Sequence, residues 1–186
     1  MKRILFILGV LEDEDVDWLV SAGQRQALAT NEVLIREGDI PQALHLILSG
    51  QLMVSVDRGQ PTVIAHLAGG EVVGEMSFVD YLPASATVTA AEPSVVLTVH
   101  QSALTAKLGQ DVGFASRFYR ALAMLLSTRL RGTVRHLEAE YWQPITLYDE
   151  RYAPEMADNI ALGGIRFDWL IRRLRDADRT PWQAPS

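Results

Sequence analysis

The chain has 186 residues, of which 48% are hydrophobic, and its formal net charge is -6. This length allows one full hydrophobic core and is short for two independent globular domains. The negative charge argues against a broad basic surface for nucleic acid, and the absence of cysteine excludes disulfides, thiolate metal ligands and a cysteine nucleophile. We therefore expect one domain with appendages, in a reducing compartment such as the cytoplasm.

The first residues form a short apolar run, 4–8, behind Lys2 and Arg3. A secretory signal has a longer apolar region and a small-residue cleavage site, whereas acidic residues follow here at once, so we do not expect a signal peptide. No apolar run approaches the roughly 20 residues that span a bilayer, and we expect no membrane insertion. Residues 12–23 predict a helix, with acidic residues in its first turn and Gly23 at its end.

Residues 26–99 predict a series of short strands. The β-rich segments alternate with breaks that contain glycine, aspartate or proline, a pattern typical of a β-sandwich or roll. The predicted strands are residues 33–35, 44–48, 51–56, 62–67, 86–90 and 94–99.

Two helices are predicted after the strands, a short one over 101–108 and a long one that Asp111 caps and that extends through 140. Apolar residues recur along the long helix at spacings of three and four, so one face must be buried. This face packs on the chain's own β-roll, forms a homodimer seam, or does both along different turns. The apolar stripe is Ala115, Tyr119, Leu122, Leu126, Leu130, Val134 and Leu137, and the opposite face carries Arg117, Arg120, Arg131 and Arg135.

Residues 141–186 are predicted to form a C-terminal extension with one helix, beside a main domain of residues 1–140. The apolar residues of that helix need burial, which favours an amphipathic helix docked on this chain or on a second copy over one that reads DNA. The apolar set is Phe167, Trp169, Leu170, Ile171 and Leu174, and the basic set is Arg166, Arg172, Arg173 and Arg175.

Residues 69–90 have the features of an anion-binding turn, with a glycine before a short helix and then a proline-led turn rich in small and hydroxyl residues. Backbone N–H groups at a helix N-terminus bind phosphate, and glycine lets a ligand approach the backbone. Glu75 is an acceptor suited to a ribose hydroxyl, and the hydroxyls of Ser85 and Thr87 suit a phosphate oxygen. Alternatively, Gly74 serves only the turn, Glu75 caps the short helix, and the proline-led turn leads back into the sheet.

In this segment the sequence resembles the phosphate-binding cassette of cyclic-nucleotide-binding domains, the family of the catabolite activator protein and the protein kinase A regulatory subunits. The resemblance covers residues 12–140, with motifs at 34–39, 46–50, 74–75 and 86–88. It implies a mainly β fold with α-helices. This is a jelly-roll-like β-roll with a small helix inside the cassette and a long C-terminal helix over the pocket. The short N-terminal helix and the helical C-terminal extension, predicted above from the residues themselves, complete the expected fold.

The resemblance assigns Gly74 to the cassette glycine and Glu75 to the carboxylate that holds the ribose 2′-hydroxyl. The arginine that pairs with the cyclic phosphate in the family falls at position 84, which is alanine here. Such an arginine contributes about 1.5–3 kcal/mol, or roughly ten- to a hundredfold in affinity. We therefore predict a degenerate pocket of weak or absent cyclic-nucleotide affinity, unless another arginine, such as Arg58 or one on the long helix, supplies the charge.

The candidate binding residues and the predicted function follow from this. The cassette set is Gly74, Glu75, Met76, Ser77, Ala84, Ser85, Ala86 and Thr87, with Ser127 and Thr128 of the long helix as candidate contacts to a purine edge. The four histidines, His45, His66, His100 and His136, lack metal-ligand spacing, and no catalytic motif is present.

We predict a non-enzymatic regulatory or sensor module without metal or cofactor that acts through protein contacts. One alternative is a true receptor for cyclic AMP or cyclic GMP that signals by movement of the long helix. A more distant alternative is a transcription regulator.

Overall fold

The computed structural model describes residues 4–139 and 154–177, with side chains described over 7–131 and 157–174. The expected β-roll with flanking helices is confirmed. In chain order the elements are α1 (Ile4–Val10), α2 (Asp13–Ala22), β1 (Gln24–Leu28), β2 (Val33–Ile35), β3 (Ala43–Ser49), β4 (Gln51–Asp57), β5 (Pro61–Ala68), β6 (Val72–Val73), α3 (Glu75–Asp80), β7 (Thr87–Ala90), β8 (Ser94–His100), α4 (Gln101–Gln110), α5 (Val112–Ala139) and α6 (Pro154–Ala177).

The strands of the described region form two antiparallel sheets of four strands each. The first sheet has the strand order β1-β8-β3-β6 and the second has the order β2-β7-β4-β5. Their inner faces pack on each other and form a core inside the roll, because alternate residues of a strand point to the same face. This inner core comprises Leu28, Ile47, Val73 and Val96 of the first sheet, and Ile35, Leu52, Leu67, Val88 and Ala90 of the second.

A second core lies between the outer face of the first sheet and the helices. β3 is buried on both faces, since Leu44 and Leu46 face this core while Ile47 faces the other sheet. α5 contributes Phe114 and Phe118, whose rings stack 5.5 Å apart. The helices therefore fix the first sheet, and with it the strands that lead into the cassette.

The apolar face of α5 differs from the predicted stripe. Its buried residues are Phe114, Phe118, Ala121, Leu122 and Leu125. Packing on the chain's own roll, one of the alternatives for this stripe, holds at Leu122 but not at Tyr119 and Leu130, which are 50% and 65% exposed. The phenylalanines take the buried face because their rings meet those of Trp18 and Phe78. The side chains of Val134 and Leu137 lie outside the described residues.

The boundaries of α2 and α4 lie within two residues of the predicted ones. The Asp111 carboxylate accepts a hydrogen bond from the Phe114 N–H at 2.8 Å, which confirms the predicted cap of α5. Residue 140 and the predicted loop after it lie outside the described residues. None of the helices in the described segments is long and apolar enough to cross a membrane.

α6 packs against α1 and α2 of the same chain, as expected for an amphipathic docking helix. Phe167, Leu170 and Leu174 are buried in the helical core, Ile171 lies against it, and Trp169 is 38% exposed. α1 was not predicted, yet it supplies the surface on which α6 docks. The division of the chain at residue 140 stays a prediction.

Candidate functional site: the cassette around Gly74

The cassette begins at Gly74, which caps the N-terminus of α3 with a φ of 87°. This left-handed conformation favours glycine. A Cβ atom at this position would also lie 2.6 Å from the carbonyl oxygen of Ala43. Both the backbone conformation and the close approach of β3 therefore require glycine here, as the sequence predicts for a tight cassette turn.

Glu75 is 2% exposed, and its partner is Arg129 of α5. The Nη1 atom of Arg129 donates to the Glu75 carboxylate, and the Nη2 atom donates to the carbonyl oxygen of Val72. A carboxylate removed from water is stable only when charge and hydrogen bonds compensate for the lost solvation. One guanidinium thus joins α5 to residues on both sides of the Gly74 turn.

α3 is also held to α5 by an aromatic contact. Phe78 is buried, and its ring meets the ring of Phe118 edge-on at 5.8 Å. Ser77 is also buried, whereas Met76 is 50% exposed. α5 therefore anchors the short cassette helix twice, through the Glu75 carboxylate at its start and through the Phe78 ring one turn later.

The proline-led turn is tied to the connection between β2 and β3. The Ala84 N–H donates to the Asp39 carbonyl at 2.8 Å, and the Gly38 N–H donates to the Ala84 carbonyl at 2.8 Å. The Ala84 methyl group packs against the inner core. The Thr87 hydroxyl oxygen accepts from the Glu37 N–H at 3.0 Å. Position 84, which the family resemblance assigns to a phosphate-binding arginine, is thus a small apolar contact here.

The other candidates of this set are on the surface or only partly buried. Ser85 is exposed, and Ala86 is partly buried. On α5, Ser127 is exposed and the Thr128 hydroxyl donates to the Met124 carbonyl at 2.9 Å. The α5 side chain that contacts the cassette carboxylate is the next one, Arg129.

Sequence reasoning allowed for an arginine from the long helix but did not identify Arg129 or its partner. The spacing of Arg129 from the apolar residues of α5 was the signal that could have identified it. Arg129 follows Phe118, Leu122 and Leu125 by eleven, seven and four residues, so it continues the buried face of α5. A charged residue in line with such a face needs a buried counter-charge.

His45 lies inside the roll beside β6, with 7% of its surface exposed. Its Nδ1 atom lies 3.0 Å from the Thr98 hydroxyl. Burial, with a smaller contribution from the charge of His100, lowers the pKa of His45 to about 4. The imidazole is therefore neutral at pH 7. Within the described ranges no three metal-ligating side chains come together.

The fold and this site define a class of protein. This class has an antiparallel β-roll whose cassette contains a glycine-capped helix. A long helix after the roll contacts the cassette through Arg129. Residues 25–111 match the family model of the cyclic nucleotide-binding domain. Over these residues the chain is similar to the cyclic nucleotide-binding domain family, and α5 and α6 follow the matched residues.

Known proteins agree with this assignment. The chain is 32% identical over 123 residues to the cyclic AMP receptor protein of Thermus thermophilus, covering 65% of this chain and 55% of that protein. Two solved structures are similar. A cyclic nucleotide-binding domain from Methylobacillus flagellatus has a TM-score of 0.68 at 27% identity, covering 77% of this chain and 85% of that one. The catabolite activator protein of Thermus thermophilus has a TM-score of 0.60 at 25% identity, covering 94% and 88%.

The chain thus spans about half the length of the Thermus receptor that it matches in sequence.

Proposed function

We propose that this chain is a non-enzymatic regulatory module whose cassette is held closed from within and has weak or absent affinity for cyclic nucleotides. The ion pair between Arg129 and Glu75 supports this proposal most strongly. By the family resemblance, Glu75 is the carboxylate that holds a ribose hydroxyl. Here an arginine of the same chain binds that carboxylate.

The energies of the two interactions favour the internal partner. A ribose hydroxyl that replaced Arg129 would still donate to the carboxylate, but the exchange would remove the positive charge that compensates for the burial of Glu75. The phosphate would also lack the arginine that the family places at position 84, which is roughly another ten- to a hundredfold in affinity. Both effects act against a cyclic nucleotide.

The module would act through protein contacts of α5. Tyr119 and Leu130 leave large apolar surfaces exposed on this helix, while its other side is buried in the chain's own core. Exposed apolar side chains on a helix favour association with another surface. We propose a homodimer through residues 111–140, in a cytoplasmic protein whose residues 141–186 extend the β-roll domain.

Calorimetric titration with cyclic AMP and cyclic GMP tests the closed cassette. We expect no saturable binding by the natural chain up to about 1 mM, which corresponds to a binding free energy weaker than about 4 kcal/mol. The variant Ala84→Arg restores the phosphate partner, and Arg129→Gln frees the carboxylate. The double variant is expected to bind most tightly. Arg131→Gln is the matched control, because Arg131 is an exposed arginine on the same helix.

A true receptor for cyclic AMP or cyclic GMP is the second candidate, and the retained pair of Gly74 and Glu75 favours it. In that case the ligand displaces Arg129 from the carboxylate and α5 moves away from the cassette. Binding by the natural chain at micromolar affinity would establish the receptor and refute the closed cassette.

A further inference from the structure

α6 approaches α1 closely at Gly9. A Cβ atom on Gly9 would lie 2.0 Å from the carbonyl oxygen of Asn159 in α6, closer than non-bonded atoms approach. Around this contact Leu8 of α1 and Phe167 and Leu170 of α6 are buried in one core. The two helices therefore pack backbone to backbone, and the absence of a side chain at Gly9 permits this.

Arg166 of α6 binds the turn between α1 and α2. Its Nη1 atom donates to the carbonyl oxygens of Leu8, at 2.9 Å, and of Leu11. Its Nη2 atom lies 2.7 Å from the carboxylate of Asp13, and the arginine side chain is 14% exposed. The last carbonyl groups of a helix need partners from outside the helix. Arg166 supplies such a partner to Leu8 of α1, binds the Leu11 carbonyl in the turn, and at the same time binds the first residue of α2.

The start of α2 is in turn bound to α5. Asp15 is 2% exposed and accepts two hydrogen bonds from Arg117, from Nε at 2.7 Å and from Nη2 at 2.9 Å. The Glu12 N–H donates to the same carboxylate at 2.8 Å, as part of the capping box of α2. This bidentate geometry fixes both the distance and the orientation between α2 and α5.

α5 connects the N-terminal helices to the cassette through two of its arginines. Arg117 and Arg129 are twelve residues apart on one continuous helix, a distance of about 18 Å. Arg117 is bound to the N-terminal helices, and Arg129 is bound to the carboxylate of Glu75 in the cassette. A displacement of the first part of α5 therefore changes the position of the arginine that closes the cassette.

We propose that α6 is a clasp that regulates the cassette. While docked, α6 fixes the turn between α1 and α2, this turn fixes Arg117, and α5 keeps Arg129 on Glu75. Release of α6 from α1 loosens α5 and opens the cassette. The clasp rests on the proposed function in one respect only, that the pair of Arg129 and Glu75 is the contact that closes the site.

Hydrogen–deuterium exchange of the full chain tests the clasp. Gly9→Val places a side chain against Asn159 and is expected to release α6. Gly164→Ala is the matched control, since a Cβ atom on this α6 glycine meets nothing within 4 Å. We expect Gly9→Val to accelerate exchange in α6 and also in α5 and α3 by about fivefold or more, within the usual range of coupling between sites. The control should leave α5 and α3 unchanged.

Two results would overturn the clasp. One is faster exchange in α6 with unchanged exchange in α5 and α3. The other is unchanged exchange in α6 itself. If Gly9→Val does not fold, Arg166→Gln removes the contact to the helix turn more mildly and has the same expected pattern.

The route through Arg117 has its own test. On an Arg117→Gln background, Gly9→Val is expected to cause no further acceleration in α3, because the connection is already broken. Independent, additive effects of the two substitutions on α3 would refute this route. These measurements use no nucleotide, so their outcome is separate from that of the calorimetric titration.

Discussion

Replacement of Arg117 by glutamine is expected to destabilise the fold in a way that depends on pH. Arg117 holds the carboxylate of Asp15, which is 2% exposed, in a bidentate pair. Loss of one member of a buried ion pair leaves an uncompensated charge and destabilises a protein by about 3–5 kcal/mol. Because the Arg117 side chain is 27% exposed and partly screened by solvent, we expect a loss below this range, about 2–3 kcal/mol at pH 7.

The pH dependence follows from Asp15. Burial acts to raise the pKa of Asp15, but the hydrogen bonds from Arg117 and from the Glu12 N–H, with the charge of Arg117, outweigh it and hold this pKa below its ordinary value. A carboxyl group with a lowered folded-state pKa stabilises the fold above its unfolded-state pKa, and this contribution is lost as the pH falls through the folded-state pKa. The deficit of Arg117→Gln should therefore shrink below about pH 4.

Urea unfolding at pH 7 and at pH 3 measures this difference. Arg120→Gln is the control, because Arg120 is exposed on the same helix, and its expected effect is below about 0.5 kcal/mol at either pH. An effect of Arg117→Gln that is equal at both pH values would refute the role assigned to the Asp15 carboxylate.

Three further substitutions test other parts of the structure. Gly74→Ala imposes a left-handed conformation on alanine and a contact of 2.6 Å with the Ala43 carbonyl, so the free energy of unfolding should fall by about 2 kcal/mol or more, and an unchanged value would contradict the turn geometry. Because the pKa of His45 is lowered to about 4 in the folded chain, the unfolded chain binds a proton at this residue at higher pH than the folded chain does. The free energy of unfolding should therefore decrease as the pH falls from about 6.5 to 4. Urea unfolding of His45→Gln should lose this decline, and a variant with the same acid sensitivity as the natural chain would refute it. Leu130→Glu should weaken dimers in sedimentation equilibrium without lowering stability, since Leu130 is 65% exposed, and an unchanged association would exclude this position from the seam.

The β-roll was largely predictable because its strands end at residues with clear turn preferences. Six of the strands agree with the predicted segments to within one residue at each end. β1 was missed because its sequence is polar and four of its five residues are exposed, and β6 because it has only two residues. α1 was missed because its seven residues are almost uniformly apolar and show no helical period.

The candidate site was predictable only where its residues are neighbours in the sequence. Gly74 and Glu75 are adjacent in sequence, and a turn followed by a short helix can be recognised from the residues themselves. The partner of Glu75 is 54 residues away, and its position depends on which face of α5 is buried. Phe114 and Phe118 determine which face is buried, because their rings contact Trp18 and Phe78 of other helices. Periodicity within α5 alone therefore could not identify the buried face.

The central claim is that Arg129 competes with a nucleotide for Glu75. The most direct measurement is the change in cyclic AMP affinity when Arg129→Gln is added to an Ala84→Arg background, by calorimetry with folding checked by circular dichroism. Loss of a competing charged hydrogen bond predicts a gain of roughly tenfold or more. Equal or weaker binding in the double variant would show that Arg129 does not close the cassette, and would contradict the account.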